Sequence, residues 1–200
     1  LKDVKVNSEL IIGLPGESAD SWADTLFKHP ELGIDFARAY PLYVLPNTPM
    51  ATTEYREKYG IKTKTLILPD NEKFEMIYQC DSYDLDEITQ IYLNWWYFNT
   101  FYNFGIDRTV TKEKMKDFFD NINDMPYISC CVEEVRNSLQ RIFKPEKELF
   151  LQGYDYNFLH KQLGRGKELL YFKQNQDQVQ RELGIKFNIQ NPDKELGSAF

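Results

Sequence analysis

The sequence predicts an α/β unit followed by a mostly α-helical region, with the change near residue 80. A short apolar run, Leu10-Ile11-Ile12, stops at a glycine turn and leads into a helical pattern, the opening of a strand–turn–helix. A second strand-like segment follows, so the order β–α–β fits one right-handed parallel crossover. After residue 83, apolar residues recur at three- and four-residue spacing over long stretches, which is the helical period.

Taken in order, Val4–Ile12 reads as a buried strand and Ala19–Leu32 as a helix that Pro30 is placed to break. Ile34–Val44 alternates large and small or polar residues and reads as the second strand. Leu45-Pro46-Asn47-Thr48-Pro49 is a loop, Thr52–Tyr59 a short helix ended by Gly60, and Lys73–Cys80 an extended edge segment. Asp84–Phe104 is the clearest helix. Ile88, Ile91, Tyr92, Trp95 and Tyr102 mark one face, and Trp96, Phe98 and Phe101 widen it. Further helices are expected over Lys112–Ile122, with Thr111 as N-cap, over Ser129–Phe143 and over Tyr156–Phe172. The tail after Gly184 reads as loose.

Composition narrows the classes of function. The chain has 200 residues, 42% of them apolar, and a net charge of −7, which argues against a nucleic-acid-binding surface. No apolar run reaches the length of a membrane span, and no signal-peptide layout opens the chain. The opening residues start almost inside a strand, which suggests a cut in a longer protein. The 3 cysteines, Cys80, Cys130 and Cys131, have neither disulfide nor metal spacing and read as reduced thiols of a cytoplasmic protein. His29 and His160 have no second ligand near them in sequence and read as structural.

The turn Gly13-Leu-Pro-Gly-Glu-Ser18 is not a P-loop, because no Lys follows Gly16, and not a dinucleotide fingerprint, because G-x-G-x-x-G is missing. It reads as a tight βα turn whose glycines allow positive φ, with Glu17 or Ser18 at the helix N-terminus. Trp95-Trp96 could stack nucleobases or fill a core, and the acidic balance favours the core. Lys161-Gln-Leu-Gly-Arg-Gly-Lys167 could take an anion or be a solvated turn.

Glu9-Leu-Ile-Ile-Gly-Leu-Pro-Gly-Glu-Ser18, with Trp22 and Thr25-Leu26, resembles the fifth-strand segment of radical S-adenosylmethionine (SAM) enzymes. Tyr40-Pro-Leu-Tyr-Val-Leu-Pro-Asn-Thr-Pro-Met50 resembles the sixth strand and its loop. Ala51–Thr65 and the aromatic helix at 88–104 are similar to the cobalamin-binding branch of that superfamily. The resemblance implies that residues 1–80 are the last strands of a partial (β/α) TIM-like barrel and residues 81–200 an α-helical C-terminal domain. It implies a parent enzyme that uses SAM, a [4Fe–4S] cluster and cobalamin for C-methylation or a related change at an unactivated carbon of an unknown substrate. The cluster loop, Cys-x-x-x-Cys-x-x-Cys, and the cobalamin domain are absent here. The chain alone is therefore expected to bind none of these cofactors, to lack catalysis, and to have the missing N-terminal part of the same protein as its partner. Self-association of the exposed barrel edge is also expected.

For sites, the resemblance implies cofactor contacts at Glu9, Ile11 and Gly13 on the fifth strand and at Tyr40, Leu42 and Val44 on the sixth, with Leu45 beside them. Glu9 would point into the barrel, and a side chain at Gly13 would fill ligand space. Each of these residues could instead be barrel packing. A self-contained α/β–α binding or interaction module stands as the other reading of the whole chain.

Overall fold

The computed structural model describes residues 4–160 and 167–189, apart from the side chains of residues 154, 156, 157, 160 and 167. The tail past residue 189, the turn at 161–167 and the imidazole of His160 lie outside that description. Within it the fold is mixed α/β, rich in helix, with two small sheets.

β1 (Asn7–Ile12), α1 (Ala19–Glu31) and β2 (Phe36–Pro41) form the expected crossover. The strands are parallel, with Asn7 opposite Phe36 and Ile12 opposite Pro41. Side chains alternate across the pair. Leu10, Ile12, Ala37 and Ala39 face the core, while Glu9, Ile11, Arg38 and Tyr40 share the opposite face. α1 runs through Pro30 and ends one residue later, since only its last turn is affected. His29 is indeed structural. Its Nδ1 bonds the carbonyls of Thr25 and Leu26, and its Nε2 lies 2.6 Å from Ser8 Oγ, tying α1 to β1.

α2 (Thr53–Lys58) leads to a second sheet that sequence reasoning saw only in part. β3 (Lys62–Ile67) pairs antiparallel with β4 (Lys73–Gln79) and parallel with β5 (Glu148–Phe150), in the order β4-β3-β5. A bridge between Tyr43 and Met76, with Val44 N–H on Glu75 O at 2.7 Å, joins the continuation of β2 to this sheet. The described residues form no closed barrel, so the TIM-like architecture reduces to a two-stranded parallel pair beside a three-stranded mixed sheet. β5 comes from beyond residue 80 and pairs across that position with β3.

α3 (Leu85–Phe98) and the π-helical turn Asn99–Asn103 that continues it form the centre of the molecule. Every residue from Ile91 to Asn103 is buried. Trp95 and Trp96 are both core residues, as the aromatic spacing indicated. α4 (Lys112–Asp120) is capped by Thr111, whose Oγ1 accepts from Lys114 N–H at 3.2 Å. α5 (Pro126–Phe143) is the other long helix packed against α3. The single helix expected over 156–172 is instead α6 (Gly153–His160) and α7 (Lys167–Gln174), and α8 (Gln176–Leu183) adds a short helix not foreseen.

Candidate functional site

Ligands of open α/β sheets gather at the carboxyl ends of the strands. At that end of β1, Gly13 and Gly16 adopt φ of +88° and +98°, which only glycine takes at little cost. Ser18 caps α1 in a reciprocal box with Ser21. The turn is held from outside by the start of α3. Tyr83 Oη donates to Gly13 O at 2.8 Å, and Gly16 N–H donates to Ser82 Oγ at 2.8 Å. Ala19 N–H donates to Glu87 Oε1 at 2.6 Å, and Asn94 Nδ2 donates to Ala19 O at 3.0 Å. Burial pushes the Tyr83 phenol well above its usual range. Burial also pushes the Glu17 carboxyl up to about 6, and its Oε2 has no hydrogen-bond partner among the described residues.

The sequence-predicted residues separate into three groups. Glu9, Ile11 and Tyr40 come together on the open face of the pair, where Tyr40 Oη reaches Glu9 Oε1 at 3.5 Å. Ile11 is 46% and Tyr40 38% exposed, high values for an apolar and an aromatic residue in a sheet. Leu42 continues that side as a half-buried residue, with its N–H on Ile12 O at 3.0 Å. Val44 is buried against the second sheet. Gly13 faces the other way. A Cβ there would meet Ile88 Cδ1 at 3.4 Å and Tyr83 Oη at 3.7 Å, so the space belongs to α3 and not to the open face.

Beyond Leu42, a cavity of about 350 Å³ opens between the end of β2, the following loop and α2. Leu42, Tyr43, Leu45, Thr48, Pro49, Met50 and Tyr55 line it. Its frame is fixed. Arg56 donates to Met50 O at 3.3 Å and holds Glu75 with both of its terminal nitrogens, at 2.8 and 2.9 Å. Burial acts to raise the Glu75 pKa, but hydrogen bonds from Arg56 and Thr63 outweigh it and hold the carboxyl below its usual range. Tyr55 and Arg56 carry no signal in sequence as site residues, because the helix that presents them is short and polar.

The donor set does not fit an iron–sulfur cluster, which requires converging thiolates. Cys80 is buried beside Ser82, Cys131 is buried in α5 and Cys130 is exposed. Among the described residues no three His, Cys, Asp or Glu side chains converge as metal ligands. No described helix is long and apolar enough to cross a membrane.

No protein-family profile matches the chain. Over 95 residues it is 35% identical to the cobalamin-dependent radical SAM methyltransferase TokK of Streptomyces tokunonensis. The matched stretch is 42% of this chain and 14% of that protein. The relation is distant and partial.

Proposed function

We propose that the chain is the C-terminal portion of a cobalamin-dependent radical SAM enzyme and supplies the last two strands of its partial barrel. The observation that carries this reading is the asymmetry of the parallel pair. On β2, the outward N–H and C=O of Ala37 are both taken by the Asn103 amide, at 3.1 and 2.9 Å. On β1, the outward-facing backbone groups of Asn7, Glu9 and Ile11 meet no partner among the described residues. A sheet finished at β2 and unfinished at β1 is what the C-terminal end of a larger parallel sheet requires, and the partial match to TokK supports that origin.

In this reading the open face bearing Glu9, Ile11 and Tyr40, with Leu42 at its end, lines the interior and holds SAM, while cluster and cobalamin are held by the upstream part. The bound cofactors supply the radical and methyl-transfer chemistry. This chain's residues shape the cavity, orient the ligand at the strand ends and exclude water. Tyr83 and Ser82 set the position of the β1 turn on which that orientation depends.

The full reading frame tests the proposal. It is expected to carry a Cys-x-x-x-Cys-x-x-Cys loop upstream of Leu1. The full-length protein, reconstituted without oxygen, is expected to hold about four irons per chain and to cleave SAM. A frame that starts at or just before Leu1 would overturn the proposal and leave a self-contained binding module.

A further inference from the structure

The cavity at the end of β2 has a lining that specifies its occupant. None of Leu42, Tyr43, Leu45, Thr48, Pro49, Met50 and Tyr55 carries a charge, although 28% of the chain is charged. The polar groups there are few. The Thr48 hydroxyl is committed to Leu45 O at 2.7 Å, and the Tyr43 hydroxyl, without a hydrogen-bond partner among the described residues, is buried, which pushes its pKa up to about 12. A charged ligand would lose its hydration and meet no opposite charge, and a strongly polar one would find at most the hydroxyls of Tyr43 and Tyr55.

The walls are also preformed. Ala51 N–H bonds Thr48 O and Thr52 N–H bonds Pro49 O, each at 3.0 Å, so the loop closes on itself as a helical turn. Arg56 fastens that turn to β4 through Glu75. Met50, the adaptable member of the lining, can follow the shape of an apolar guest. The volume lies at the small end of the range for ligand pockets. Leu45, 59% exposed, stands at its side as an apolar residue in contact with water.

We infer that this cavity is a recognition site for an uncharged apolar or aromatic group of the substrate. The placement at a strand's carboxyl end, continuous with the open face through Leu42, rests on the proposed function. The chemistry of the occupant rests on the lining alone.

Indole is a suitable probe, with indole-3-acetate as its charged counterpart and adenosine as the polar nucleoside control. The ¹³C-methyl signals of leucine and methionine in this chain are followed as each compound is added. Indole is expected to shift Leu42, Leu45 and Met50 saturably, with Kd near or below about 1 mM. Indole-3-acetate should bind at least tenfold more weakly, and adenosine should leave the Leu45 and Met50 methyls unmoved.

Leu45→Asp places a charge at the cavity without touching the core and should weaken indole at least tenfold. Met50→Trp should fill the space and abolish the shifts. Unchanged signals from Leu139, buried in α5, certify that each variant is folded. The inference is overturned by the absence of saturable shifts at these methyls, by equal affinity for the charged analogue, or by tighter binding of adenosine. Because the upstream sequence plays no part in this titration, a failure of the radical SAM reading leaves its outcome unaffected.

Discussion

β1 and β2 are parallel neighbours of equal length, yet their outer edges are treated in opposite ways. The outer edge of β2 is held at Ala37 by the Asn103 amide, and past Leu42 the chain is taken up by the bridge to β4. The outer edge of β1 is left uncovered by the described residues, and the face beside it carries Ile11 in solvent. Unpaired strand edges invite association, and proteins ordinarily blunt them with charge, proline or a covering element. Here one edge receives a buried, sequence-distant side chain placed by a π-helical turn, and the other receives none among the described residues. The difference gives the pair a direction, with Ala37 on β2 held and, among the described residues, β1 left open.

The largest effect is expected from breaking the closed edge. Asn103→Leu leaves the Ala37 N–H and C=O buried without partners, at a cost of about 2–4 kcal/mol in urea unfolding. A loss below about 0.5 kcal/mol would mean that Asn103 does not hold the edge. A smaller effect belongs to the carboxyl end of β1, where Glu17 is half-buried. Its folded pKa of about 6 lies above the ordinary value of 4.5, so the folded state binds the proton more readily. Stability should therefore fall as pH rises from about 4.5 to about 6, by roughly 1 kcal/mol once partial exposure is allowed for. Glu17→Gln should remove that part of the pH profile, and an unchanged profile would place the carboxyl in water.

The smallest effect on stability is expected at the open side. Ile11→Lys should alter unfolding by less than about 0.5 kcal/mol, because the side chain is already half in water. The same change should abolish self-association of the chain in light scattering. A wild-type chain that is strictly monomeric at high concentration would show that the edge is not an offered one.

Much of this was legible in the sequence where local and tertiary preferences agree. The glycine turn, the Thr111 cap and the aromatic run of α3 each declare themselves through residue type or period. β3 did not, because Lys-Thr-Lys-Thr reads as solvent-facing. Its Lys64 is only 2% exposed. Burial lowers its pKa to about 8, and its Nζ reaches Lys144 O, at the end of α5, at 2.7 Å. β5 is too short to show a period and exists because β3 offers an edge. At the site, the resemblance named Glu9, Ile11 and Tyr40, and the parallel register brings them to one face. The direction of Gly13 was not readable, since it depends on where α3 packs. The edge-closing role of Asn103 was equally hidden, because it joins residues 66 positions apart.

That separation also sets an order of events during synthesis. β1, α1 and β2 leave the ribosome long before the segment that covers them, and the β3–β4 hairpin waits still longer for β5. Between the emergence of Pro41 and that of Asn103, Ala37 on the outer edge of β2 lacks the amide that satisfies its N–H and C=O. Pairs of strands are at best marginal alone, and contacts between distant residues form slowly. The π-helical turn is thus a late fastening, and the interval before it closes is when the growing chain is most open to misassembly and to capture by chaperones.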